Sequence, residues 1–314
     1  MTPTRTEEEK RLSQLKKEVP IRGFERHPLI LKQVTDLAPE LRSPAVATLA
    51  DREPIQPIIA FPPQIHHGWH YVPKQALLFT PTEAIHLLAS IWPDQEPKVT
   101  HLRGSGLLYM HVTLVLLYGH LEIAARGHDS PTRLSLEFNT VAWYLLSPPL
   151  RRLLQAGRAE PRAPIDRTSY TPTALQTLER LPLKFSNGLQ IYGLLPGEEL
   201  EEIVFQPGTR IRWSLLLRQP VPGNTLLLLT SNYMVVIRED LKASQGWIIS
   251  YVPRDPIRGI LSRPRGPWKE LTVLLRRGDQ TAEFSLLLKN QAAQEWRAVW
   301  IRNGFRWEDQ PREP

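Results

Sequence analysis

The sequence contains no cysteine among its 314 residues. Disulfide bonds, cysteine-ligated zinc, iron–sulfur clusters and thiolate nucleophiles are therefore excluded. The sequence also lacks the glycine-rich phosphate-binding patterns GxxxxGK[ST] and GxGxxG, and the GxSxG pattern of serine hydrolases. The paired carboxylates Glu201 and Glu202 come with no catalytic partner pattern. We therefore expect a non-catalytic protein that needs no cofactor.

Long hydrophobic runs are absent as well. The most apolar stretch, residues 106–119, is too short to cross a bilayer as a helix and carries His111 in its middle. The first residues, MTPTRTEEEKRLSQLKKEV, are highly charged, unlike a signal peptide. We expect a cytoplasmic protein, with peripheral association at a membrane left open. Because both faces of the 106–119 stretch are apolar after Thr113, we expect other parts of the chain or a second subunit to cover it.

The composition is that of a globular protein with room for two domains: 41% of the residues are hydrophobic and 23% are charged. Two segments open with the same Leu-Leu-x-Thr pattern, LLFTPTEAIHLL at residues 77–88 and LLLTSNYMVVIR at residues 227–238. The dipeptide Glu137-Phe138 recurs as Glu283-Phe284, at an offset similar to that between the two Leu-Leu-x-Thr segments. These repeated patterns predict that the chain contains two copies of one fold.

Alternating apolar residues predict strands followed by one closing helix in each copy. In the first copy the predicted strands lie within 75–88, at 99–102, within 107–125 and at 133–137. In the second copy they lie at 226–237, 247–252, 271–275 and 281–288. The second closing helix carries Trp296 and Trp300 on one face, whereas Pro148-Pro149 is expected to kink or split the first.

These patterns predict five segments along the chain. They are a helical, proline-rich N-terminal arm (1–54), a divergent first domain (55–155), a linker (156–187), a second domain (188–307) and a short tail (308–314).

Four stretches of the second copy form a series: GLLPGEELEEIVF, LLLLTSNYMVVIRE, WIISYVPRDPIRGI and EFSLLLKNQAAQEWRAVWIRNG. This series resembles the pleckstrin-homology-like domains of bacteria, and the first copy is a fainter version. The resemblance implies a mainly β (α+β) protein in which two bent antiparallel sheets or barrels are each closed by a C-terminal helix with a core tryptophan. It also implies a binding or assembly role, and a first hairpin in which Arg210 and Arg212 would meet an anion.

Basic residues are densest between residues 251 and 277, where only Asp255 and Glu270 oppose them. The candidate anion- or partner-binding residues are Arg254, Arg258, Arg263, Arg265, Trp268 and Lys269. Guanidinium groups in one loop share phosphate or carboxylate oxygens, so we expect a protein partner or an anionic membrane surface. Nucleic acid is disfavoured because no aromatic ladder accompanies the charge. A solvated loop without a partner, and self-assembly into a homo-oligomer, remain alternatives.

All nine histidines precede residue 129, and His66, His67 and His70 crowd into PPQIHHGWHYVP. Three imidazoles at this spacing would hold zinc or nickel if a fourth group such as His101 or Glu83 came near. Adjacent histidines in a loop usually point in different directions, and no HExxH pattern is present. The alternative to an adaptor is therefore a metal- or ligand-binding, enzyme-like domain centred on this loop.

Overall fold

The computed structural model of the chain describes residues 5–19, 27–49, 55–66, 70–157, 169–209, 223–240 and 246–311. The chain forms two compact units. The first comprises Met1–Gly104 and Glu137–Ala156, and the second comprises Ser105–Leu136 and Gly157–Pro314.

The first half of the chain contains, in order, α1 (Arg5–Glu18), β1 (Leu29–Leu31), α2 (Pro39–Leu49), β2 (Ile55–Phe61), β3 (Gln64–His66), β4 (His70–Val72), β5 (Gln75–Phe79), β6 (Glu83–Leu88), β7 (Lys98–Arg103), β8 (Leu107–Val115), β9 (Tyr118–Ala125), β10 (Thr132–Asn139) and α3 (Trp143–Ala156). The second half contains β11 (Ser169–Tyr170), α4 (Pro172–Leu178), α5 (Leu183–Gly188), β12 (Glu199–Gln206), β13 (Thr225–Thr230), β14 (Tyr233–Glu239), β15 (Trp247–Pro253), β16 (Ile257–Arg265), β17 (Trp268–Arg277), β18 (Gln280–Lys289), α6 (Asn290–Arg302) and β19 (Trp307–Asp309).

The first unit is built on an antiparallel five-stranded sheet in the order β1-β2-β5-β6-β7. Its core joins buried residues of the sheet to Leu37 and to Leu41, Ala45 and Leu49 of α2. The segment predicted as an N-terminal arm thus supplies part of the core of this unit. The apolar spacing of α2 explains why: its buried residues recur every four positions and form one face of the helix.

The second unit contains two sheets. One runs in the order β10-β9-β8-β15-β14-β13-β12-β11, and the other in the order β18-β17-β16-β19. Buried residues of both sheets and of α6 form one core, in which Trp296 and Trp300 are fully buried. The protein is therefore mainly β with helices, as the sequence predicts, but its sheets are not closed barrels.

Strands β8 and β9 lie in the second unit, whereas the sequence assigned them to a first domain at 55–155. The reason is the antiparallel pairing of β8 with β15, in which Leu114 lies opposite Trp247 and His111 opposite Ser250. Local alternation identifies a strand but not its distant partner. The predicted linker also differs: its described part forms β11, α4 and most of α5.

Corresponding strands begin 150 residues apart: β5 at Gln75 and β13 at Thr225, β6 at Glu83 and β14 at Tyr233, β8 at Leu107 and β16 at Ile257, β9 at Tyr118 and β17 at Trp268. The threonines of the Leu-Leu-x-Thr pattern also match. Thr80 directly follows β5 and Thr230 ends β13, and each hydroxyl lies close to the carbonyl oxygen three residues later, at 3.5 Å from that of Glu83 and 3.2 Å from that of Tyr233. The two copies of the pattern therefore form equivalent hairpins.

Several local expectations need correction. Residues 226–237 are two strands joined at Ser231-Asn232, and the basic stretch 251–277, expected to be a loop, forms the end of β15 and all of β16 and β17. Helix α3 is not split at Pro148-Pro149. The apolar 106–119 stretch turns at Leu116 and Leu117, which are each 68% exposed. In the described part of the chain, no helix is both long and apolar enough to span a membrane.

Candidate anion-binding surface

Four of the predicted basic residues, Arg258, Arg263, Arg265 and Lys269, lie on the hairpin of β16 and β17. Its turn contains Gly266 with φ of 60°, a left-handed conformation that glycine adopts without strain. Arg263 faces Glu270 across the hairpin, and Arg265 faces Trp268 at the tip. Strand formation thus spreads the basic residues along two neighbouring strands instead of gathering them in one loop.

At the tip of the hairpin, the basic side chains have partners within the chain. Arg265 Nη1 lies 3.1 Å from Glu270 Oε1, and Lys269 Nζ lies 3.6 Å from Asp309 Oδ1. Arg263 donates through Nε to Gln310 Oε1 at 3.1 Å. Trp268 is only partly buried. Surface pairs of this kind stabilise the protein little, but they reduce the positive charge offered to a partner.

Arg254 has a structural role. Its Nη1 contacts Glu201 Oε2 at 2.7 Å and donates to the Thr230 carbonyl oxygen at 2.9 Å. The guanidinium also lies over the ring of Phe305, with 5.2 Å from Cζ to the centroid. Glu202 in turn pairs with Arg302. The carboxylates Glu201 and Glu202 are therefore both engaged in ion pairs with arginines. Arg210 and Arg212 lie outside the described residues.

The structure places His66 opposite His70 in the β3–β4 hairpin, while His67 lies outside the described residues. His101 and Glu83, considered above as further ligands, contact each other through Nδ1 and Oε1 at 2.8 Å. Within the described ranges, no group of three or more histidine, aspartate or glutamate side chains is arranged to hold a metal ion.

A second group of basic residues lies at the base of the hairpin. Here the ends of β9 and β17 approach the start of β16, and four residues form what we term the arginine cluster: Arg126, Arg258, Arg276 and Arg277. A β-carbon at Gly278 would lie 3.1 Å from Arg126 Cζ, and Arg276 Nε donates to the Gly278 carbonyl oxygen at 3.0 Å. Both side chains therefore converge on the β17–β18 turn.

Arg277 is the central member of the arginine cluster. Its Nη1 donates to the Ser105 carbonyl oxygen, and its Nη2 lies 3.6 Å from Asp255 Oδ2. Its Nε and Nη2 are buried without a hydrogen-bond partner among the described residues. Among the described residues, Arg258 donates to backbone oxygens alone, including that of Asp255 at 3.0 Å. Asp255 is therefore the one carboxylate in contact with the cluster in the described part of the chain.

The pKa of Arg277 reflects the excess of positive over negative charge in the arginine cluster. Burial lowers the pKa of its guanidinium, the Asp255 charge opposes that effect, and the charges of Arg258 and Arg126 lower the pKa further. The group stays protonated at neutral pH, so the shift expresses the free-energy cost of holding like charges together in a partly buried place. A second anion beside Asp255 would offset that cost.

Sequence reasoning identified Arg258 as a site residue but did not connect it with Arg126, which lies far away in the chain. One signal was available: Arg126 and Arg276 are 150 residues apart, and they lie at the ends of the equivalent strands β9 and β17. No protein-family model and no curated protein matches this chain.

Proposed function

We propose that this chain is a non-catalytic binding protein of the adaptor type, whose second unit holds an anionic partner on a basic surface. The observation that carries the proposal is the arginine cluster, where four guanidinium groups gather and the described residues offer them one carboxylate, that of Asp255, which contacts Arg277. Because the tip residues Arg265 and Lys269 are paired internally, the proposal places the partner at the base of the β16–β17 hairpin.

The order of elements supports a tandem pleckstrin-homology-like arrangement as the framework for binding. Strands β12–β15 belong to one sheet, β16–β18 belong to the next, and α6 follows. In the first half, β2, β5, β6 and β7 share a sheet, β8–β10 share another, and α3 follows. A fold of this kind specifies no activity by itself, so the function rests on the residues it displays.

The chemistry of the cluster favours an oxyanion as the group that is bound. Guanidinium groups donate two parallel hydrogen bonds to a carboxylate or phosphate, and such charge-assisted bonds are shorter and stronger than neutral ones. Arg126, Arg258 and Arg276 are exposed, so their donors are accessible to a partner. Arg277 is partly buried and supplies positive charge behind them.

The proposal is tested by binding to two anionic probes, namely phosphatidylcholine vesicles containing phosphatidylserine and a short polyglutamate peptide. Full-length protein is compared with an Arg126→Glu/Arg258→Glu variant. The matched control is Arg152→Glu/Arg180→Glu, which makes the same change in net charge at two exposed arginines outside the cluster. Pure phosphatidylcholine vesicles serve as the neutral probe.

We expect the wild-type protein and the control to bind one of the anionic probes, with an affinity that decreases as salt is added. The cluster variant is expected to bind at least about tenfold more weakly, because two attractive charges become repulsive. Binding to vesicles alone identifies a membrane surface, and binding to polyglutamate alone identifies an acidic protein. If both variants bind equally, or the wild-type protein binds neither anionic probe, the proposal is wrong.

A further inference from the structure

The end of the chain lies along the edge of β16. After α6, residues 305–310 run back beside this strand, and we term them the C-terminal strap. Strand β19 pairs in parallel with β16, with Trp307 opposite Ile260 and Asp309 opposite Ser262. The Ile260 amide donates to the Arg306 carbonyl oxygen at 3.0 Å, and the Gln310 amide donates to that of Ser262 at 2.8 Å.

Aromatic side chains anchor the strap between β16 and α6. The ring of Phe305 stacks on Trp300 with centroids 4.3 Å apart, and Trp300 Nε1 donates to the Arg306 carbonyl oxygen at 3.2 Å. Trp307 packs against the core of the second unit. Gly259 permits the close approach, because a β-carbon there would lie 3.1 Å from the Arg306 carbonyl oxygen. Phe305 and Trp307 thus occupy two aromatic subsites in the groove between β16 and α6.

The polar end of the strap is held by basic residues. Asp309 Oδ2 lies 3.2 Å from Arg297 Nη1, and Asp309 Oδ1 lies 3.6 Å from Lys269 Nζ. Burial raises the pKa of the Asp309 carboxyl, but the nearby polar side chains of Ser262 and Trp307 and the charges of Arg297 and Lys269 outweigh it, so the pKa is lowered overall. Arg263 contacts Gln310. Two of the residues that the sequence marks for an anionic partner, Arg263 and Lys269, therefore meet an acidic segment of their own chain.

Few backbone pairs join the C-terminal strap to β16. Its ladder with β16 has three residue pairs, and Arg306, Glu308 and Asp309 are exposed. Short segments with few buried contacts open with a small free energy, well below that of global unfolding. Opening would expose the β16 edge, the face of Trp300 and the charges of Lys269 and Arg297 together.

We propose that the groove between β16 and α6 is a peptide-binding groove, and that the C-terminal strap is an internal ligand that competes with a partner. The strap defines the chemistry of that partner: an extended peptide with aromatic side chains at two alternate positions, followed by two acidic residues. Backbone pairing with β16 would supply affinity, and the aromatic and basic subsites would supply specificity. This inference does not depend on the arginine cluster.

The test uses full-length protein and a fluorescent synthetic peptide, GFRWEDQP, which copies residues 304–311. A tethered segment acts as a competitor at an effective concentration of roughly millimolar. We therefore expect a Trp307→Ala/Asp309→Lys variant, whose strap is weakened, to bind the peptide at least about tenfold more tightly than wild type. A peptide with lysines in place of its two acidic residues, and a variant that also carries Lys269→Glu and Arg297→Glu, should both bind more weakly.

Equal peptide affinity of the folded strap variant and wild type would overturn the proposal, as would equal binding of the lysine peptide. Hydrogen exchange on wild type gives a second test that needs no variant. The amides of Ile260 and Gln310 should exchange through a local opening, faster than the Val273 amide in β17. If they exchange only with global unfolding, the strap is not displaceable and the proposal is wrong. All of these changes leave the arginine cluster intact, so either proposal can fail without the other.

Discussion

The side-chain amide of Gln280 forms two hydrogen bonds with the backbone of Gly127. Its Oε1 accepts from the Gly127 amide at 3.0 Å, and its Nε2 donates to the Gly127 carbonyl oxygen at 3.1 Å. Gly127 follows β9 and Gln280 begins β18, so this pair of hydrogen bonds joins the β9–β10 turn to the β17–β18 turn. The same contact fixes the turns that carry Arg126 and Arg277. We infer that Gln280 positions the arginine cluster.

Replacing Gln280 with alanine removes both hydrogen bonds and leaves the Gly127 backbone groups unpaired in a partly buried place. We expect the free energy of unfolding to fall by about 1–3 kcal/mol. Urea denaturation of the second unit, followed by tryptophan fluorescence, measures the change. Gln291→Ala, at an exposed position at the start of α6, is the control and should change stability by less than about 0.5 kcal/mol. An equal effect of the two substitutions would show that the two hydrogen bonds of Gln280 do not stabilise the fold.

Glu198 is 1% exposed and supports the β13–β14 turn. Its Oε2 accepts from the Thr230 hydroxyl at 2.8 Å, the Ser231 hydroxyl at 3.0 Å and the Asn232 amide at 2.9 Å. Glu198→Ala leaves these buried and partly buried donors without their acceptor, so we expect the free energy of unfolding to fall by about 3 kcal/mol. Thermal unfolding measures the change against Glu179→Ala, an exposed control. A small effect of Glu198→Ala would mean that water replaces the carboxylate.

His86 gives the first unit a defined pH dependence. Burial lowers the pKa of His86 to about 4, and the charge of Lys98 lowers it further. The unfolded chain takes up this proton near pH 6.5, whereas the folded chain does so only near pH 4. This contribution to stability is therefore complete above about pH 6.5 and lost as the pH falls toward 4. It amounts to roughly 3 kcal/mol.

The pH dependence is measured as the change in unfolding free energy between pH 7 and pH 4.5. A His86→Gln variant should lose less stability over this range than wild type, because it has no imidazole to protonate. The control is His128→Gln, since the side chain of His128 is 96% exposed. If His86→Gln and wild type show the same slope, His86 is not the group that titrates. His111, whose pKa is also lowered to about 4 by burial first and then by Arg238, adds a slope shared by all three proteins.

The sequence predicts those elements whose own residues carry the signal. Strand β18 alternates buried and exposed residues along its length, and α6 places Trp296 and Trp300 on one buried face. Strand β16 was missed because its exposed positions hold arginines and because it contains Pro264, a composition typical of loops. Its buried residues, such as Ile260, acquire that role only through β17 and α6.

The candidate site was predictable in charge but not in geometry. Local sequence shows that basic residues are dense near Arg263, but it does not show that Glu270, Asp309 and Gln310 are close enough to pair with them. It also cannot bring Arg126 to Arg277, because that approach depends on nonlocal strand pairing in the second unit. Long-range contacts of this kind depend on the whole fold.

The arginine cluster predicts a stabilising effect of multivalent anions. At equal ionic strength, sulfate should raise the melting temperature of the protein more than chloride, because a divalent oxyanion bound to the folded state shifts the unfolding equilibrium. At a concentration about 100-fold above its dissociation constant, the stabilisation would be about 2.7 kcal/mol. Arg126→Ala/Arg258→Ala should lose the difference between the two salts that the Arg152→Ala/Arg180→Ala control keeps. Sulfate is also excluded from protein surfaces and stabilises proteins in general. A difference that persists in the cluster variant would therefore assign the effect to solvent and not to a site.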